Sequence, residues 1–156
     1  METENLSFYD KENMPSASKM CFGIVVSEGN KDIISDMLHA CVDTLKENEA
    51  LEENIRIKTV PSAFDLVYGA HQMMLRDELD AVIVLGCVIK GETSYADYIC
   101  NGLSTGIAQL NTQSTNPIIL GLITADTKEQ AMARAGGDRG NKGVQAAVSA
   151  IKMVKF

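Results

Sequence analysis

The stretch Asp80–Cys100, DAVIVLGCVIKGETSYADYIC, holds the residues best able to handle a ligand. Gly86 and Gly91 bracket a short loop after an apolar run, and Thr93 or Ser94 is placed to open a helix. Ser94-x-x-Asp97 matches a capping box, in which a hydroxyl and a carboxylate satisfy orphan N–H groups. A glycine loop feeding a helix N-terminus offers N–H groups and a positive dipole end to an anion. Open α/β sheets bind ligands at such strand ends. Arg134 and Lys142 flank the glycine-rich GGDRGNK. Residue type alone fits two readings: cations favoured at a helix end beside a glycine turn, or groups that hold an anion.

Other chemistries fail on context. Gly102-x-Ser104-x-Gly106 has the letters of a hydrolase nucleophile elbow, which needs a strand-turn-helix setting and a downstream His. The motif falls inside a helical pattern, and the two histidines, His39 and His71, precede it. Close helix packing explains those small residues. GCVIKGET is superficially like a P-loop but lacks the Lys before the terminal Thr. Neither His has a partner four residues on, so no metal site is expected and both read as surface residues. Cys87 sits at the loop mouth without a His near it in sequence, which favours packing over nucleophilic work.

The elements that must position these residues follow from periodicity. Met20–Ser27, Ala81–Leu85 and Ile118–Thr124 are apolar runs, as expected of strands buried on both faces. Asn54–Val60 alternates, and Pro61 ends it. Between them, Ile34, Met37, Leu38, Cys41 and Leu45 stripe a helix over Lys31–Asn48. Ala63, Leu66, Val67, Ala70 and Met74 stripe a second. A third runs from Thr93 or Ser94 to about Leu110. Thr127-x-x-Gln130 caps a short helix to Ala135, and Val144–Val154 forms the last. Strands alternating with helices predict one parallel α/β sheet covered on both faces. Residues 1–18 read as an N-terminal arm with apolar points at Leu6, Phe8 and Tyr9, and 19–156 as a single domain.

With 46% hydrophobic and 22% charged residues, the composition is that of a globular domain. A net charge of −7 argues against a nucleic-acid partner, though one or two local cations suffice for a phosphorylated small molecule. No apolar run is long enough for a membrane span, and the N-terminus has no leader pattern. The four cysteines lack C-x-x-C spacing and read as reduced thiols, so a cytoplasmic location is expected.

GCVIKGETSYADYIC resembles the lumazine synthase (6,7-dimethyl-8-ribityllumazine synthase) segment G-x-V-I-x-G-x-T-x-H-x-D-x-V/I. The resemblance continues through GIVVSEGN (Gly23–Asn30), VPSAFD (Val60–Asp65) and RAGGDRGNKG (Arg134–Gly143). It implies a flavodoxin-like three-layer sandwich, a four-stranded parallel sheet in the order 2-1-3-4. It implies a transferase of riboflavin biosynthesis that needs no cofactor. The substrates would be 5-amino-6-(D-ribitylamino)uracil and 3,4-dihydroxy-2-butanone 4-phosphate. Arg134, with Gly91, Glu92 and Thr93, would hold phosphate, and Lys142 would assist. Asn30, Ala63, Phe64, Asp65, Cys87, Val88 and Ile89 would line the pyrimidine and ribityl side. The arm would add a strand to a neighbour's sheet. A homo-pentamer with shared pockets would result, and the short GGDRGNKG turn suits further packing into a shell of about 60 subunits.

Several pocket positions depart from that pattern. Gly29 stands where an aromatic residue stacks on the pyrimidine, Tyr95 where the proton-transferring His stands, Ala96 where an aromatic is frequent, and Leu120 where Phe is expected. Asp65 replaces Glu. A missing stack costs on the order of 1 kcal/mol, and a missing acid/base roughly 10²–10⁴ in rate. Rate enhancement from positioning two reactants survives both losses. Gly29 and Tyr95 also suit a second class: a weakened homologue that binds a flavin-like ligand or serves as a shell scaffold.

Overall fold

Four extended runs line up as one parallel sheet in the computed structural model, which describes residues 5–156. They are β1 (Phe22–Ser27), β2 (Ile55–Val60), β3 (Ala81–Ile89) and β4 (Ile118–Ala125), in the order β2-β1-β3-β4. All three pairings are parallel, so the expected topology is found. The helices are α1 (Lys31–Glu47), α2 (Leu66–Arg76), α3 (Tyr95–Gln113), α4 (Lys128–Ala133) and α5 (Lys142–Val154). The period-two alternation of β3 splits the core. Ala81, Ile83, Leu85 and Cys87 face α1 and α5, while Val82 and Val84 face α2 and α3.

Of the expected α1 stripe Ile34, Met37, Cys41 and Leu45 are buried, Leu38 is only partly so, and Ile33 joins the core. In α2 the core residue is Met73 rather than Met74, which is only partly buried. Helix α3 runs past Leu110 to Gln113, and α4 ends at Ala133 rather than Ala135, which is extended. Two further features differ from expectation for backbone reasons. β3 does not stop before Gly86: pairing of Gly86–Ile89 with Leu122–Ala125 carries it four residues further. The Ser94–Asp97 capping box is not made, because Ser94 has φ −76°, ψ 10° and its hydroxyl makes no capping bond. Thr93 Oγ1 accepts the Tyr95 N–H instead, at 3.3 Å. The small residues of α3 serve packing. A Cβ on Gly102 would lie 2.9 Å from the Phe64 ring, and one on Gly106 2.8 Å from Val67.

After α4 the chain makes a two-stranded hairpin, β5 (Ala135–Gly137) and β6 (Gly140–Asn141), before α5 begins two residues earlier than its apolar pattern suggests. Asn141 caps α5 by accepting the Gly143 N–H at 2.7 Å. Residues 1–4 of the arm lie outside the described residues. From Asn5 onward the arm lies along its own domain: Leu6–Phe8 and Lys11–Asn13 are single 3-10 turns. Tyr9 Oη accepts from Asn48 Nδ2 at 3.0 Å, and Ala17 and Met20 are buried.

The tightest approach in the domain is Gly143 of α5 against the backbone of α1, where a methyl group would overlap the Met37 carbonyl. Neither backbone can retreat without opening the core beneath it. Gly143→Ala should therefore destabilise the fold by about 2–3 kcal/mol despite the better helix propensity of Ala. The urea midpoint reads this directly, and an unchanged midpoint would contradict the packing described.

Candidate functional site

The site is built where β1 stops and β3 does not. β1 pairs with β3 only as far as Val26–Leu85, so Gly86–Ile89 are held by β4 on one side alone. The backbone groups on the other side face a cleft of about 320 Å³. Asn30 reaches across to one of them, donating from Nδ2 to the Cys87 carbonyl at 3.3 Å. It does so from a left-handed backbone (φ 51°, ψ 56°), which Asn tolerates better than most residues. Strand alternation sends the N–H and C=O of Ile89 to the same open side. The cleft floor is thus a backbone donor and acceptor rather than an ionised side chain.

Four segments wall this cleft. Asn30 comes from the loop after β1, and Ser62, Ala63 and Phe64 from the turn before α2. Cys87, Val88 and Ile89 end β3, while Gly91, Thr93, Tyr95, Ala96 and Ile99 come from the loop and first turns of α3. Ten of the residues expected from sequence are brought together here: Asn30, Ala63, Phe64, Cys87, Val88, Ile89, Gly91, Thr93, Tyr95 and Ala96. Ser62, which lies in VPSAFD without an expected role, and Ile99, which no motif flagged, are additions. Helical spacing could have found Ile99, four residues after Tyr95 on the same face.

The rest of the expected set lies elsewhere. Gly29 adjoins Asn30 in open space, with nothing within 4 Å of where a Cβ would stand, so the floor is exposed where a ring would stack. Asp65 does not line the cleft; its Oδ2 accepts from both the backbone N–H and the hydroxyl of Ser62, at 3.0 and 2.7 Å. Glu92 is exposed outside it. Leu120 packs partly buried against the α2/α3 core. Arg134 is exposed at the end of α4 and donates from Nη1 to the Gln130 carbonyl at 3.1 Å. Lys142 is the first residue of α5 and donates from Nζ to Gln145 Oε1 at 3.2 Å. A cation in the first turn works against the helix dipole, which makes Lys142 costly unless an anion accompanies it.

Two other hollows lie among the described residues. One of about 310 Å³ lies on the far side of β3, lined by Lys90, Asp97, Cys100, Asp126 and Gln130 among others. The other, about 730 Å³, is at the opposite end of the sheet, before β1, β3 and β4, around Asp77, Asp80 and Asn116. Several of its polar groups are engaged: Asp80 accepts the Cys21 N–H at 2.7 Å, Asn116 donates to the Leu79 carbonyl at 2.9 Å, and Asp77 Oδ1 pairs with Arg56 at 2.8 Å, while Asp77 Oδ2 has only the Lys58 ammonium at 3.9 Å. It also meets helix C-termini, not N-termini. The smaller cleft at the strand C-termini is the chemically equipped one. Among the described residues no group of three His, Cys, Asp or Glu is placed to hold a metal ion, and no helix is long and apolar enough to cross a membrane.

A family model described as 6,7-dimethyl-8-ribityllumazine synthase matches residues 19–156. The 6,7-dimethyl-8-ribityllumazine synthase of Bacteroides fragilis is 54% identical over 137 residues, 88% of this chain and 96% of its own. That of Parabacteroides distasonis is 50% identical over 153 residues, covering 98% and 96%. That of Phocaeicola vulgatus is 49% identical over 152 residues, covering 97% and 90%.

Cys87 touches the cleft, yet burial pushes its thiol from 9.0 up to about 11, and that of Cys41 in the core up to about 12. Neither is a thiolate at neutral pH, so Cys87 is a wall and not a nucleophile. The linkage has a definite sign. Between pH 9 and 11 the unfolded chain has lost the Cys87 proton and the folded one keeps it, so stability is full below pH 9 and falls as pH rises. The fall is roughly 1 kcal/mol per pH unit for such a thiol. Cys87→Ala should lose less stability than the unsubstituted chain from about pH 9 to 11, in urea titrations at each pH. A parallel decline in both would refute the buried neutral thiol.

Proposed function

The chain belongs to the 6,7-dimethyl-8-ribityllumazine synthase family, and from that premise we propose that it makes 6,7-dimethyl-8-ribityllumazine in riboflavin biosynthesis. The substrates are 5-amino-6-(D-ribitylamino)uracil and 3,4-dihydroxy-2-butanone 4-phosphate, and phosphate and water leave without a cofactor. The observation that carries the reading is the cleft beside the unpaired edge of β3. A pyrimidine ring offers alternating C=O and N–H groups along its edge. The Ile89 backbone donor and acceptor complement that edge without any charge. Phe64, Val88 and Ala63 supply the apolar contact around the ring.

The phosphorylated substrate sits at the start of α3. In the first turn the Tyr95 and Asp97 N–H groups bond Thr93 Oγ1 and the Ser94 carbonyl, which leaves the Ala96 N–H for an anion, with the Thr93 hydroxyl beside it. Arg134 and Lys142 line no part of this cleft in their own chain. They complete it from a neighbouring subunit, in a head-to-tail ring of five with the pocket shared at each junction. Phe64, Tyr68, Tyr95 and Tyr98 support that arrangement, being 53%, 67%, 70% and 73% exposed around α2 and the start of α3. An apolar patch of that size on a small domain calls for a partner. Further assembly of pentamers into a shell, and a cytoplasmic setting, belong to the same proposal.

Tyr95 occupies the position from which a proton would be delivered to a departing oxygen or taken from the attacking amine. Its side chain is 70% exposed and free to turn toward a bound reactant. Positioning of two reactants in one cleft supplies most of the acceleration in this reading, with Tyr95 as a hydrogen-bonding group.

Mixing the chain with both substrates should give lumazine faster than the uncatalysed background, and Tyr95→His should raise kcat by about tenfold to a hundredfold. A rate equal to background would remove the enzymatic reading. The assembly is separately accessible: light scattering at neutral pH should return the mass of a pentamer or a multiple of it. A monomeric mass at micromolar concentration would exclude the shared pocket.

A further inference from the structure

The arm and the hairpin meet in a set of hydrogen bonds that ends on Lys142. Asn5 Nδ2 donates to the Arg139 carbonyl at 3.2 Å. The Ser7 hydroxyl bridges the backbone of Asn141, accepting from its N–H at 2.9 Å and donating to its carbonyl at 3.0 Å. Gly140, with φ 82°, brings the hairpin so close that a Cβ there would lie 2.7 Å from Ser7 Oγ. Across the same junction Gln145 Nε2 donates to Asn5 Oδ1 at 2.8 Å and to Ser7 Oγ at 3.3 Å.

An amide has a donor end and an acceptor end, so fixing one orients the other. With its NH₂ end held by Asn5 and Ser7, Gln145 must turn Oε1 outward, and Oε1 accepts from Lys142 Nζ at 3.2 Å. The reverse orientation would set NH₂ against an ammonium, donor against donor. The Lys142 N–H in turn donates to the Arg134 carbonyl at 2.9 Å, which ties the two cations together at the backbone. Resting on the reading of Lys142 as a phosphate-binding group, we propose that Asn5 and Ser7 of the arm are positioning residues that act through Gln145 to aim the Lys142 ammonium. The arm is then part of the specificity for the phosphorylated substrate, besides any part it plays in holding subunits together.

The test compares an Asn5→Ala/Ser7→Ala double variant, Gln145→Met and Lys142→Met in steady-state assays, with inorganic phosphate as a competitive probe. The arm variant should raise both the KM for the butanone phosphate and the inhibition constant of phosphate by about fivefold. Its kcat and its KM for the aminouracil should stay unchanged. Gln145→Met keeps the bonds of Asn5 and Ser7 to the hairpin and should give the same shift, which guards against an arm variant that merely folds poorly. In a Lys142→Met background the arm substitutions should add nothing. Equal loss on both substrates, no shift, or an effect fully additive to Lys142→Met overturns the proposal. Should Lys142→Met itself leave phosphate binding unaltered, the anion-site reading falls with it. A Lys142→Met effect without an arm effect overturns the arm relay alone.

Discussion

Everything in this domain depends on β3 being paired on both sides and covered on both faces. Residues 81–87 are buried without exception, so each backbone N–H and C=O among them has to find a protein partner. β1 and β4 supply those partners in parallel register, and parallel strands require the crossover helices that then cover the sheet. The two apolar cores are separate clusters only because β3 sends alternate side chains to opposite faces. Where β1 ends, that obligation lapses on one side. The unpaired backbone of the last residues of β3 is the physical origin of the cleft.

Charge is distributed with the same economy. The chain carries seven more acidic than basic side chains, yet the features suited to an anion are a backbone N–H at the start of α3 and cations beyond α4. A helix start whose Ser94 hydroxyl makes no cap bond and a lysine on the positive end of a helix are each locally unfavourable. A domain selected for stability alone would fill both positions differently. Their coexistence makes sense when an anion resolves both, and when the two halves of that site belong to adjacent subunits.

Helix α5 joins these themes. Its Gly143 lies against the backbone of α1, which fixes the hairpin and Lys142 relative to the core. Its Gln145 faces the arm, so the first residues of the described chain and one of its cations share a single amide. Contacts of this kind span 140 positions in sequence and cost little in loop-closure entropy once α5 is docked.

Apolar spacing, with a capping pattern for α4, determined the four strands of the main sheet, the five helices and their alternation, because such spacing reflects burial directly; the β5/β6 hairpin left no such signal. Motif order determined which residues were worth watching, and Asn30, Phe64, Val88, Ile89, Thr93 and Tyr95 do converge. Other features were decided only in three dimensions. Gly86 reads as a stop, but ladder bonds to β4 outweigh its weak strand propensity. Ser94 reads as a cap, but a hydroxyl caps only from an extended backbone, and neighbouring residues set that angle. Asp65 reads as a pocket carboxylate, but Ser62 lies nearer and takes it. Arg134 and Lys142 carry the right chemistry in the sequence, while their absence from the cleft of their own chain follows from where α4 and α5 dock. A sequence states which groups are present; the directions of hydrogen bonds and the faces that helices cover are settled by packing between distant residues.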